Sequence, residues 1–205
     1  MNTPFRFPSL PALLAAAALL TLSLVQAEPE PPLKPIFTGE DLSGWVVPDN
    51  NIWFSAKDGI LTLQSGPEKK GKDIWTEQHY TDFIIEFDFL FGEGTVDSGI
   101  FMREAHDQIQ IGISGSLKRD MTGSPYIPKK GYPQEAEGVA KLLKLEDWNT
   151  MKIKAEGPVY TVWLNGKKVN TYTSETAAET GPIGIQLHGN KDMAIQYRNI
   201  RAAAL

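Results

Sequence analysis

Cysteine is absent from the 205 residues. That excludes disulfides, thiolate nucleophiles, a lipidated N-terminal cysteine and cysteine-based zinc sites. A domain of this length buries enough core to hold its fold without cross-links. No Lys/Arg-rich run occurs, and the formal net charge is −5. The electrostatic footprint of a nucleic-acid binder is therefore missing. The three histidines are not spaced as a metal motif. No nucleophile elbow, phosphate loop or dinucleotide fingerprint is present. A divalent cation on paired carboxylates is chemically possible but has no clear motif behind it.

Long apolar runs are also scarce. The one exception is Pro11–Val25, preceded by Arg6 and followed by Val25-Gln26-Ala27. A positive start, an apolar centre and a small-residue cleavage site are the parts of an export signal. The run is shorter than the ~20 residues that span a bilayer. Residues 1–27 are thus expected to be a cleaved signal, with a periplasmic or secreted mature chain. Residues 28–35 form a Pro-rich leader. Residues 36–205 form the domain. No membrane contact is expected after cleavage, and the oligomeric state is not legible.

What remains reads as strands and turns. Ile52–Ala56 and Ile60–Leu63 flank an Asp58-Gly59 turn. Phe83, Ile85, Phe87 and Phe89 alternate with Ile84, Glu86, Asp88 and Leu90, the period of a half-buried strand. Ile109, Ile111 and Ile113 alternate with Gln108, Gln110 and Gly112. Met151–Ala155, Val159–Leu164 and Lys167–Thr173 follow, the last two joined by Asn165-Gly166. Pro182–His188 and Met193–Ile200 complete a regular series. Such spacing predicts an all-β sandwich or barrel. The longest connection, Ser114–Asp147, is rich in Gly, Ser, Pro and Lys. Loops of that length are commonly functional or disordered. It is expected either to wall a site on one sheet face or to be a solvated excursion. Ala136–Leu145 is its best helical stretch.

Several blocks resemble one family. Phe37-Thr38-Gly39-Glu40-Asp41-Leu42-Ser43-Gly44-Trp45 is similar to the opening "F-(N/T)-G-x-D-L-x-G-W" of the 3-keto-disaccharide hydrolase domain family. Asp97-Ser98-Gly99-Ile100-Phe101-Met102-Arg103, Trp148-Asn149, Leu164-Asn165-Gly166, Gly181–His188 and Arg198-Asn199-Ile200 follow in the family's order. The resemblance spans nearly all of residues 36–205. It implies a concanavalin A-like jelly-roll of two antiparallel sheets, with the long loop over the concave face. It also implies an exported protein acting on glycosides oxidised at C3. A ketone there acidifies the C2 proton, so a base can remove it and the C1 substituent can leave. That chemistry needs a base, a donor for the enolate oxygen and an acid for the leaving group. One position departs from the pattern. Where many members carry a glutamate in "Y-E-x-Q-x-x-D", this chain has Gln108, and an amide cannot act as a base. Either the base lies elsewhere or the domain binds carbohydrate without turnover.

The candidate residues follow from chemistry and position. Arg103 is a candidate donor to the enolate oxygen, or else an ion-pair partner of Glu86 or Asp88. Gln108 and Gln110 share one strand face, and Gln110 and Gln186 suit hydroxyl recognition. His188, two residues after Gln186, is a candidate proton carrier. Asp120 in the long loop is a candidate replacement carboxylate. Asp88, with Glu86, offers a base, a substrate contact or simply a charged face. Tyr126 and Tyr132 could stack on a sugar ring. The five tryptophans could form a lectin-like platform, but Trp45, Trp148 and Trp163 sit in framework positions, and most are read as core.

Overall fold

The computed structural model describes residues 1, 29–104 and 106–205. The expected export signal lies outside the described residues. The strands are β1 (Lys34–Pro35), β2 (Trp45–Val46), β3 (Phe54–Lys57), β4 (Ile60–Gln64), β5 (Lys72–Tyr80), β6 (Phe83–Gly94) and β7 (Asp97–Met102). After them come β8 (Asp107–Gly112), β9 (Pro125–Tyr126), the one-turn helix α1 (Val139–Leu142), β10 (Asn149–Glu156), β11 (Val159–Leu164), β12 (Lys167–Thr173), β13 (Gly181–Leu187) and β14 (Met193–Ala204).

These strands build two antiparallel sheets, one of the two architectures the strand spacing predicts and the jelly-roll sandwich the family resemblance implies. One sheet runs β12-β11-β10-β6-β14-β4-β3, with β1 also on β14, and has eight strands. The other has six, in the order β2-β5-β13-β7-β8-β9. Non-local pairing dominates, as in β7 lying between β13 and β8.

Period-two alternation decides which side chains meet between the layers. Phe83, Ile85, Phe87 and Phe89 of β6 face Ile100, Met102, Ile109, Ile111, Ile183 and Ile185 of the smaller sheet, all of them buried in one apolar cluster. Ser98 interrupts that cluster but is satisfied. Its hydroxyl donates to the Gln186 carbonyl at 2.6 Å and lies 2.9 Å from the Tyr197 hydroxyl. A buried Ser–Tyr contact thus ties one sheet to the other.

The two sharpest hairpins carry the expected turn chemistry. Asp58 and Gly59 have φ of 52° and 82°, and Asn165 and Gly166 have 49° and 78°. Positive φ at both central residues matches the right-handed twist of the flanking strands. The long connection is largely ordered. Its Pro125–Tyr126 segment adds an edge strand to β8, and Ile113 pairs with Asp120. It walls the edge of the six-stranded sheet. Of the predicted helix only Val139–Leu142 forms.

Most tryptophans are not core, contrary to expectation. Trp45 is buried at 3% exposure, and its indole NH donates to the Ile36 carbonyl at 2.9 Å. Trp53, Trp75, Trp148 and Trp163 are only half-buried. Alternation turns Trp75 and Trp163 outward, Trp53 packs only partly against the core from just before β3, and Lys72, Lys152 and Arg198 lie over Trp53, Trp163 and Trp148.

Candidate active site

The site is built on the outward face of the six-stranded sheet. Strand register brings Gln186 of β13, Gly99 of β7 and Gln110 of β8 into one cross-strand row. The next row holds Gly184, Phe101, Gln108 and Tyr126. The alternate residues Ile185, Ile100 and Ile109 fill the core, so the amides must face outward.

Gly99 is what lets the rows communicate. Gln108 Nε2 donates across β7 to Gln186 Oε1 at 2.8 Å. A Cβ on Gly99 would lie 2.5 Å from that same Nε2. The Ser-Gly step therefore has a physical role at each residue: serine bridges the layers, and glycine leaves room for an amide bridge.

Beside this pair, Gln110 Nε2 donates to Asp97 Oδ1 at 2.8 Å. Lys191 Nζ lies 2.7 Å from the other Asp97 oxygen. Asp97 is only 3% exposed, so the lysine supplies the charge balance a buried carboxylate needs. The amides, Asp97 and Lys191 floor a cleft of about 600 Å³, walled by Ser114–Ser116, Lys118, Tyr126, Tyr132, His188 and the Gly189–Asn190 turn. Tyr126 and Tyr132 meet edge to face at 5.3 Å. Burial pushes the Tyr132 hydroxyl up to about 12, so it stays a neutral phenol able to donate.

His188 lies at the wall of this cleft. Its Nδ1 is 2.7 Å from the Gly189 carbonyl oxygen. A carbonyl only accepts, so Nδ1 carries a hydrogen, which leaves Nε2 as the nitrogen that can exchange a proton with a ligand. Asp73 of β5 is the cross-strand partner of Gln186. Burial pushes its carboxyl up to about 6, against the opposing fields of His188 and Lys72. The His188 ring is thus near enough for its field to act on Asp73, which lies beside Gln186 on the neighbouring strand and outside the lining of the cleft. An imidazole and a carboxyl of raised pKa are the residue types of acid–base chemistry.

The cleft gathers Gln108, Gln110, Gln186, His188 and Tyr126 from the sequence-predicted set. Three others lie elsewhere. Arg103 does not reach the cleft. Its backbone turns into the left-handed region at φ 64°, which carries the side chain off the sheet face. It is 1% exposed and holds loop ends together. Its Nε donates to the Thr81 carbonyl, and Nη1 donates to Gly157 and Ala178 at 2.8 and 3.1 Å. Its ion pair is with Asp82 at 3.2 Å, not with Glu86 or Asp88.

Asp88 lies on the other sheet's outer surface, because β6 belongs to the eight-stranded layer. There it accepts from Thr150 Oγ1 at 2.7 Å and Asn199 Nδ2 at 2.8 Å, and pairs with Arg198 at 3.2 Å. Asp120 is turned toward a neighbouring hollow beside Ile113 and Leu145. Its oxygens accept from Thr122 N and Oγ1 at 3.0 and 3.1 Å, closing a local turn. Burial raises its pKa, but no cleft residue contacts it.

Sequence reasoning missed Asp73, Asp97 and Lys191 as site residues. Asp97 was visible at the head of the Ser-Gly block, and Asp73 stands opposite Gln186 on β5, a pairing that no local pattern shows. Nothing local signalled Lys191. Among the described residues no cluster of three His, Cys, Asp or Glu side chains could hold a metal ion.

A comparison with curated proteins returns no match. In fold, the chain is similar to a protein of Parabacteroides distasonis ATCC 8503 described as a candidate glycosyl hydrolase. That similarity is at 24% identity with a TM-score of 0.62, covering 85% of this chain and 100% of the other. It is also similar to the carbohydrate-binding module CBM66 of Bacillus subtilis, at 13% identity and a TM-score of 0.54, covering 80% and 97%. The exoplasmic/lumenal domain of VIP36, solved with Ca²⁺ and Man3GlcNAc, gives 11% identity and a TM-score of 0.60, covering 84% and 90%. At these identities the likeness speaks for the fold alone. The family model that describes a 3-keto-alpha-glucoside-1,2-lyase-like domain matches residues 32–203, and the chain belongs to that family.

Proposed function

We propose that this protein is an exported enzyme that cleaves 3-keto-glycosides by elimination at C1–C2. One observation carries the reading: His188 walls a cleft floored by the amides Gln108, Gln110 and Gln186, and Asp73, whose carboxyl is raised to about 6, is the cross-strand partner of Gln186. The signal-like first 27 residues support export.

The steps balance as follows. His188 Nε2 takes the C2 proton, and the electron pair moves into an enolate on the C3 oxygen. The Lys191 ammonium, held 2.7 Å from Asp97 in the lining of the cleft, takes the stabilising role first expected of Arg103. The enolate then collapses. The C3 carbonyl reforms, a C1=C2 double bond appears, and the C1–O bond breaks. Asp73 gives its proton to the departing oxygen. Water afterwards adds OH to C1 and H to C2, which completes a net hydrolysis. Gln108, Gln110 and Gln186 orient ring hydroxyls, since each amide both donates and accepts.

A second reading is a carbohydrate-binding module without turnover. Gln108 favours it, because its amide occupies the position where many relatives carry a carboxylate and is already bonded to Gln186. The two separate with 4-nitrophenyl 3-keto-glucoside. The enzyme releases nitrophenol, and His188→Ala lowers the rate at least 100-fold while the sugar still binds. Saturable binding with no nitrophenol from the wild type would establish the module instead.

A further inference from the structure

The outward row that crosses the cleft does not end there. Beyond Gly184 the next residue is Trp75 of β5, so Trp75, Gly184, Phe101, Gln108 and Tyr126 form one line across five strands. Gly184 determines how the indole lies. A Cβ at that position would sit 2.5, 2.6 and 2.9 Å from the ring atoms Cζ3, Cε3 and Cη2. The six-membered ring of Trp75 is therefore pressed onto bare backbone. Phe101 continues the surface, with its ring parallel to the indole within 18° and 5.2 Å away between centroids. Phe101 is 7% exposed, while Trp75 beside it is half-buried and still reaches solvent.

The location matters as much as the ring. Asp73 precedes Trp75 by two residues on β5, and Gln186 follows Gly184 by two on β13. Two strand residues span about 7 Å, on the order of the width of one sugar ring. A ligand whose reacting carbon faces His188 and Asp73 would thus carry its departing group onto the indole. Flat aromatic surface beside hydroxyl-binding amides suits the C–H face of a pyranose.

We infer that Trp75, seated on Gly184 and backed by Phe101, is a second sugar subsite that receives the leaving-group pyranose of a disaccharide. This rests on the carbohydrate reading of the cleft and adds the preference for a disaccharide over a single ring. A ring that served only to cover Phe101 would confer no such preference.

The test uses the full chain carrying His188→Ala, which blocks turnover, titrated calorimetrically with 3-keto-glucose and 3-keto-maltose. The disaccharide is expected to bind about 10-fold tighter, a stacking increment of about 1.4 kcal/mol. Adding Trp75→Leu keeps apolar cover over Phe101 but removes the flat face. It is expected to erase the disaccharide advantage and leave 3-keto-glucose unchanged. Trp75→Phe is expected to retain most of the advantage. Melting temperatures of the variants show that each is folded. A disaccharide advantage that survives Trp75→Leu, or an equal weakening of both sugars, overturns the subsite and leaves the cleft reading intact. If neither sugar binds the parent protein, the cleft reading fails and the subsite falls with it.

Discussion

Asp73 stands in a strand that reads as unremarkable, yet it has an unusual acidity. Its carboxyl is held at about 6 by burial. Below the ordinary value of 3.8 it is protonated whether the chain is folded or not. Above about 6 it must be ionised in a half-buried place, which costs stability. Asp73→Asn is therefore expected to stabilise the fold by about 1–2 kcal/mol at pH 7 after allowance for solvent screening, with the gain vanishing near pH 4. Chemical denaturation at the two pH values checks it. In the proposed mechanism the acid form is the one that protonates the leaving group, so turnover should fall as pH rises through about 6. That limb should disappear from the residual activity of the asparagine variant.

Arg103 is the opposite case, a residue whose prominence in the sequence misled. Its place after the Ser-Gly block suggested a strand end facing ligand. The positive φ that removes it from the sheet depends on where Thr81, Gly157 and Ala178 present their carbonyls, all distant in sequence. Arg103→Met should cost about 3 kcal/mol or more by orphaning those carbonyls and Asp82. At a temperature where the variant is folded, its sugar affinity should match the wild type.

At the scale of elements, the strands and hairpins were readable because alternation and turn chemistry are local. The Gln108–Ile113 pattern placed both glutamines on one face. What alternation cannot state is which strands become neighbours. Asp73 and Gln186 meet only because β5 pairs with β13, and Asp88 left the site because β6 joined the other sheet. The long connection could be read equally as a wall or as a solvated excursion, because its edge strand, Pro125–Tyr126, has no strand-like run. Gly99 offers an element-level test. Gly99→Ala keeps β7 in register but pushes the Gln108 amide from Gln186. Sugar affinity should fall about 10-fold while stability changes by about 1 kcal/mol or less, because the obstructing atom belongs to a side chain that can swing aside. Calorimetric titration and thermal melting on the same sample separate the two effects.

Across the whole molecule the two outer faces have divided roles. The eight-stranded face carries ion pairs such as Arg201–Glu86 at 2.5 Å and Arg198–Asp88, with Arg198 also 4.0 Å from the Trp148 ring. Burial works to raise the Asp88 pKa, but hydrogen bonds from Thr150, Asn199 and Arg198 together outweigh it and lower the value. A depressed carboxylate contributes stability at neutral pH and loses it as pH falls through its folded pKa. Asp88→Ala should therefore lower the melting temperature at pH 7, have less effect in acid, and leave sugar binding untouched. The six-stranded face carries the cleft with His188, the Asp73 carboxyl beside Gln186, and the Trp75 ring over Gly184. This division was only half visible beforehand. The outward charges of β6 could be seen, but their distance from the glutamines is a property of layer assignment.

The most direct test of the proposed chemistry is hydrogen exchange at C2. Methyl 3-keto-glucoside is incubated with the protein in D₂O and followed by proton NMR. The wild type is expected to replace the C2 hydrogen with deuterium, and His188→Ala is expected to lose that exchange while still binding the sugar. Cleavage by the wild type with the C2 hydrogen retained, or saturable binding with neither exchange nor cleavage, would contradict proton abstraction by this cleft.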